Sequence, residues 1–114
     1  MSAVLNIKEN LINNVQILEI EGRLDGSTSN QLQDRIDGLT AAGFIKFVFD
    51  LGALSYISSA GLRVFLATDK ELAAKNGKFV LCCLRGKVKE VFDIVGFTFE
   101  NFGSRQDALN SFTK

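Results

Sequence analysis

Ser58 and Ser59 stand side by side just before Ala60-Gly61-Leu62, where a polar stretch gives way to a helical apolar pattern. Backbone N–H groups at a helix N-terminus are unpaired and carry an effective partial positive charge, so a phosphate placed there meets ready donors. The favourable interaction is about 0.3–2 kcal/mol, depending on burial. Ala60 and Gly61 add little bulk beside the hydroxyls, which leaves room for the active site of a modifying protein. The pair is therefore suited to phosphorylation. It is equally suited to a plainer task, since serine is among the best helix N-caps and its replacement by alanine costs about 1 kcal/mol. Local chemistry alone favours capping.

A second polar loop, Gly22-Arg23-Leu24-Asp25-Gly26-Ser27-Thr28, offers the same two readings. Asp25 can cap a following helix, and Thr28 with Gln31 can form a capping box. Arg63, one turn inside the helix after Ser59, can orient a phosphate or pair with a partner's acid, although a solvated helix arginine is the simpler reading. Catalysis has little to work with. There is no histidine to serve as general base or metal ligand, no Gly-rich phosphate loop of the P-loop type, and no lysine near Ser59 in sequence. Asp50, which with Asp25 would make an acid pair, stands at a strand end where a carboxylate caps local backbone groups. The cysteines, Cys82 and Cys83, are sequence neighbours in an apolar run, a spacing that suits neither zinc nor an ordinary disulfide. They read as small buried hydrophobes of a strand. No catalytic residue, metal or cofactor is expected.

The 114 residues predict one domain spanning 1–114, large enough for its own core. Thirteen Lys plus Arg balance thirteen Asp plus Glu, so no basic footprint points to nucleic acid or an anionic membrane. No apolar run approaches the ~18 residues of a membrane span and no leader pattern is visible. The cytoplasm is the expected compartment.

The elements that must position these loops follow from periodicity. Apolar residues alternate over Val4–Lys8 and Val15–Ile20, with Asn13-Asn14 between them, and predict an antiparallel hairpin. Leu32, Ile36 and Leu39 mark a helix within 26–43, ended by Gly43. Residues 44–49 are nearly continuous β-formers and predict the central strand. After a polar loop, Leu62, Phe65, Leu66, Leu72 and Ala73 mark a second helix running to Asn76-Gly77, with Glu71 and Lys75 paired. A strand over Phe79–Leu84 follows, then a helix through Val88, Val91, Phe92 and Val95 closed by Gly96. Phe97, Phe99 and Phe102 suggest a short strand, and Ser104-Arg105-Gln106-Asp107 caps a last helix. Most of the ten phenylalanines read as core, with Phe97 and Phe102 as possible exceptions. The class is α/β: a mixed sheet with an N-terminal hairpin and βαβ units, helices packed against it.

Gly22-Arg23-Leu24-Asp25 and Asp50-Leu51, followed by Tyr56-Ile57-Ser58-Ser59-Ala60-Gly61-Leu62-Arg63, resemble the STAS domain, named for sulphate transporters and anti-sigma factor antagonists. The resemblance extends over essentially the whole chain, including the hairpin and Gly96-Phe97 before a final helix. With no membrane segment beside it, the chain resembles the free-standing bacterial antagonists.

That resemblance implies a phosphorylation-controlled partner switch. The family's regulatory serine, two residues before the motif glycine, maps onto Ser59, and Asp25 matches an acidic residue near the phosphorylation site. The implied partner-binding surface comprises Asp25, Gly26, Ser27, Ser58, Ser59, Ala60, Gly61 and Arg63. The implied partners are an anti-sigma factor with serine kinase activity and a phosphoserine phosphatase. Many antagonists carry Asp where this chain has Ser58, and Ser or Thr where it has Ala60. This departure motivates the alternative of a STAS-type binding or scaffold module without phosphoregulation, in which Ser58 and Ser59 both act as caps.

Overall fold

Asn13 and Asn14 adopt positive φ angles of 51° and 68°, the left-handed pair that a two-residue hairpin turn requires and that asparagine tolerates. They join β1 (Asn6–Ile12) to β2 (Val15–Leu24) in antiparallel register from Asn6 opposite Glu21 to Ile12 opposite Val15. The computed structural model describes residues 5–95 and 99–112. Val4, Gly96 and Phe97, assigned above to a strand start, a helix stop and a short strand, lie outside them.

The ten residues of β2 serve two parallel neighbours in succession. Gln16 to Glu19 pair with β3 (Lys46–Asp50), and Gly22 to Leu24 pair with β4 (Leu54–Ile57), with a register shift between Gly22 and Arg23. β3 pairs on its other side with β5 (Lys78–Cys82), which carries β6 (Asn101–Phe102). The order is β1-β2-β3-β5-β6 with β4 against the far end of β2, so β3 is central as expected. β4 itself overturns the reading of this stretch as loop. Its sequence, Leu-Ser-Tyr-Ile, buries only its two ends, so it lacks the alternation that marks a half-buried strand.

One face of the sheet carries Phe47, Phe49, Phe79 and Leu81 beneath α1 (Ser29–Ala41), α2 (Ser59–Ala74) and α3 (Gly86–Val95). The Phe49 ring lies 5.3 Å from Phe65 of α2 and 5.1 Å from Phe79, both edge-on, an arrangement aromatic quadrupoles favour. The other face carries Val48, Val80 and Cys82 beneath α4 (Arg105–Asn110), whose cap Ser104 accepts from the Asp107 N–H at 3.1 Å. Phe102 is half-buried and packs against this second cluster. Burial on both faces explains why Phe47, Val48 and Phe49 are apolar in succession.

α2 ends as the sequence predicts, with Asn76 at φ 61° and the Gly77 N–H reaching back to the Leu72 carbonyl at 2.7 Å. Two of its expected inward residues, Leu66 and Ala73, are exposed instead. β5 stops at Cys82, short of Leu84, because Cys83 turns out of the strand at φ 65°. Burial pushes the Cys82 thiol far above its usual range, so the free side chain is a neutral thiol. No helix among the described residues is long and apolar enough to cross a membrane.

Candidate functional site

Ser58 and Ser59 divide the two tasks that their sequence leaves open. Ser58 is extended (φ −103°, ψ 177°) and its hydroxyl accepts from the Gly61 N–H at 3.4 Å, making it the cap of α2. Its own N–H donates to the Leu24 carbonyl at 2.9 Å, which fastens the start of α2 to the end of β2. Ser59 is the first helical residue, exposed, and its hydroxyl has no hydrogen-bond partner among the described residues. The reading of both serines as caps is corrected accordingly: one caps and one is open.

Gly61 also changes role. It is buried, and a Cβ there would lie 2.8 Å from Leu24 Cγ and 2.9 Å from Ile57 Cγ1. The glycine therefore lets α2 press onto β2 and β4; it does not clear space for a visiting protein. Ala60 is half-buried beside it. Arg63 lies four residues after Ser59, on the same helix face, exposed and with no ion pair among the described residues. Leu66, 39% exposed, continues that face, and Tyr56, 38% exposed, precedes it on β4.

The neighbouring loop at the start of α1 is closed. Asp25 Oδ1 accepts from the Ser27 N–H at 2.9 Å and the Ser27 hydroxyl at 2.7 Å. Both bonds favour the carboxylate, and they hold the Asp25 carboxyl below its usual range, with Arg23 adding to the effect. Thr28 is buried, and its hydroxyl donates to the Arg23 carbonyl at 2.7 Å while accepting from the Asp25 N–H at 3.0 Å. Thr28 occupies the cap position of α1 without a side-chain capping bond, and Gln31 reaches the Leu5 carbonyl at 2.6 Å. Neither capping arrangement expected here forms. Asp25 caps its own turn, a local competition typical of Asp. Gly26 and Ser27 are exposed at the tip.

The two loops meet through β4. Arg23 and Tyr56 are paired across β2 and β4, and the guanidinium carbon sits 4.2 Å from the centre of the Tyr56 ring. Arg23 Nε is also 3.8 Å from Asp25 Oδ2. The exposed strip thus runs from Asp25 and Ser27 across Arg23 and Tyr56 to Ser59, Arg63 and Leu66. Arg23, Tyr56 and Leu66 were absent from the sequence-derived surface. The first two could have been found only with β4 in hand.

Asp50 joins neither loop. Its Oδ1 accepts from the Gly52 N–H at 3.0 Å, as a strand-end carboxylate should, and its Oδ2 accepts from Arg105 at 2.7 Å. The two carboxylates Asp25 and Asp50 are thus each committed to a separate network, not to one another.

Residues 6–108 match the family model described as the STAS domain. BtrV of Bordetella bronchiseptica, provisionally named an anti-sigma factor antagonist, is 39% identical over 103 residues, 89% of each chain. A crystal structure of an anti-sigma factor antagonist from Mycobacterium paratuberculosis shares the fold with a TM-score of 0.88, at 24% identity over 97% of this chain and 96% of that one. The antagonist SpoIIAA in its unphosphorylated form gives a TM-score of 0.83 at 19% identity, covering 95% of this chain and 96% of that chain. The phosphorylated form from Bacillus gives 0.75 at 18%, covering 96% and 99%.

Proposed function

The chain belongs to the STAS domain family, and from that premise we propose that it is an anti-sigma factor antagonist switched by phosphorylation of Ser59. The observation that carries the proposal is the unbonded, exposed Ser59 hydroxyl beside a serine that already caps the helix. A kinase can take this hydroxyl without breaking any bond that holds the fold. The 39% identity to BtrV supports the choice of partner class.

Unmodified protein binds an anti-sigma factor through the strip from Asp25 to Leu66 and so frees the sigma factor. The anti-sigma factor is also the serine kinase. Its phosphate adds about −1.5 to −2 charges and three acceptor oxygens at one point of that strip. The first turn of α2 stabilises the added charge, by about 0.3–2 kcal/mol. In the complex the same charge must be desolvated against a surface shaped for a neutral hydroxyl, and binding fails while the fold persists. A phosphoserine phosphatase resets the protein. This is regulation by occupancy of one hydroxyl, with no catalytic step in the chain itself.

The test is incubation with ATP and the anti-sigma factor recovered by pull-down, followed by mass spectrometric mapping. Phosphate is expected on Ser59 and not on Ser58 or Ser27. Unmodified Ser59, together with Ser59→Asp protein that binds as tightly as wild type, would favour the unregulated scaffold reading suggested by Ser58 and Ala60.

A further inference from the structure

Asp50 of β3 and Cys82 of β5 are directly opposite one another, at the last paired position of the two strands. Cys83 follows Cys82, and in a continuing strand its side chain would point to the opposite face of the sheet. It does not continue the strand. At φ 65° it adopts a left-handed conformation that is uncommon for a residue with a Cβ, and both sulfurs and a carboxylate oxygen of Asp50 come to lie within 4.8 Å of one another.

We propose that Asp50, Cys82 and Cys83 bind one thiophilic divalent cation of the zinc class, with water in the fourth position. Zinc takes thiolate at about 2.3 Å and carboxylate at about 2.0–2.2 Å in a tetrahedron, so neighbouring ligand atoms stand roughly 3.3–3.8 Å apart. Small rotations of side chains already within 4.8 Å reach that spacing. Two thiolates select zinc or a softer ion over magnesium and calcium.

The surroundings are those a metal ligand needs. Arg105 holds Asp50 Oδ2 through Nη2 at 2.7 Å and Nε at 3.1 Å, which orients the carboxylate, and Oδ1, which accepts from the Gly52 N–H at 3.0 Å, keeps a second lone pair for a cation. Gly52 keeps the space between them clear, since a Cβ there would sit 3.2 Å from both Asp50 Oδ1 and Cys83 Cβ. Cys82 is buried and Cys83 half-buried, so the cation enters past Cys83. The site lies under α4 and is independent of the Ser59 switch.

Reduced, metal-stripped full-length protein titrated with Co(II) should take up one ion per chain with intense thiolate-to-cobalt charge-transfer absorption, and Zn(II) should displace it. Zn(II) should raise the melting temperature of the wild type. Cys83→Gly, which suits the positive φ and therefore folds, should lose the charge-transfer bands, bind Zn(II) at least about tenfold more weakly and show no thermal shift. Absence of the bands in wild type, or equal Zn(II) affinity in wild type and Cys83→Gly, would overturn the proposal.

Discussion

At the start of α1 the hydroxyls of Ser27 and Thr28 are both used by the loop, one on Asp25 and one on the Arg23 carbonyl. At the start of α2 Ser58 is used in the same manner and Ser59 is not. Both loops are short, polar and serine-bearing, and Leu24 supports both. On the proposed switch, the state of a hydroxyl, more than its exposure, separates Ser59 from Ser27. Ser27 is as accessible as Ser59, yet a phosphate there would displace a 2.7 Å bond and face the Asp25 carboxylate.

Removing the shared support should have the largest effect. Leu24 is fully buried, packs against the backbone at Gly61 and precedes Asp25, so Leu24→Ala should lower stability by about 2–5 kcal/mol in urea unfolding. A loss below about 1 kcal/mol would mean that the two loops do not rest on it. Thr28→Val comes next, at about 1 kcal/mol, because it strands the Asp25 N–H and the Arg23 carbonyl in a half-buried position. Ser58→Ala should cost roughly 0.5–1 kcal/mol, the lower part of the capping range, since 3.4 Å is a long bond. Ser59→Ala should stay within about 0.5 kcal/mol of wild type. A larger cost for Ser59→Ala than for Ser58→Ala would reverse the division of labour between them.

The weakest expected effect concerns acid. The folded Asp25 carboxyl is held below its usual range, so its contribution is present above the unfolded carboxyl's pKa and is lost as pH falls through the lowered folded value. Stability curves of wild type and Asp25→Asn should therefore converge only at the acid end. Curves that already coincide at neutral pH would leave Ser27's two bonds to Asp25 without a measurable role.

The hairpin, β3 and the end of α2 were legible because adjacent asparagines, a nearly continuous apolar run and Asn76-Gly77 are local signals. β4 was not, since Leu54-Ser55-Tyr56-Ile57 does not alternate and its partner is the last part of β2, which only the folded chain brings alongside. The same gap hid the Arg23–Tyr56 contact. Ser59 could be singled out by resemblance to a family motif, but that Ser58 alone caps α2 depends on backbone angles the sequence does not carry. Cys82 is the buried strand residue its sequence suggests, but Cys83 is not, because the left-handed turn there has no glycine or asparagine to announce it.

The decisive measurement is the affinity of one anti-sigma factor preparation for unmodified protein and for protein phosphorylated at Ser59, with circular dichroism on both. A switch at an open hydroxyl predicts binding weaker by at least tenfold, about 1.4 kcal/mol, with the fold and its melting transition retained. Equal affinity for the two forms, or weaker binding accompanied by loss of helix, would contradict it.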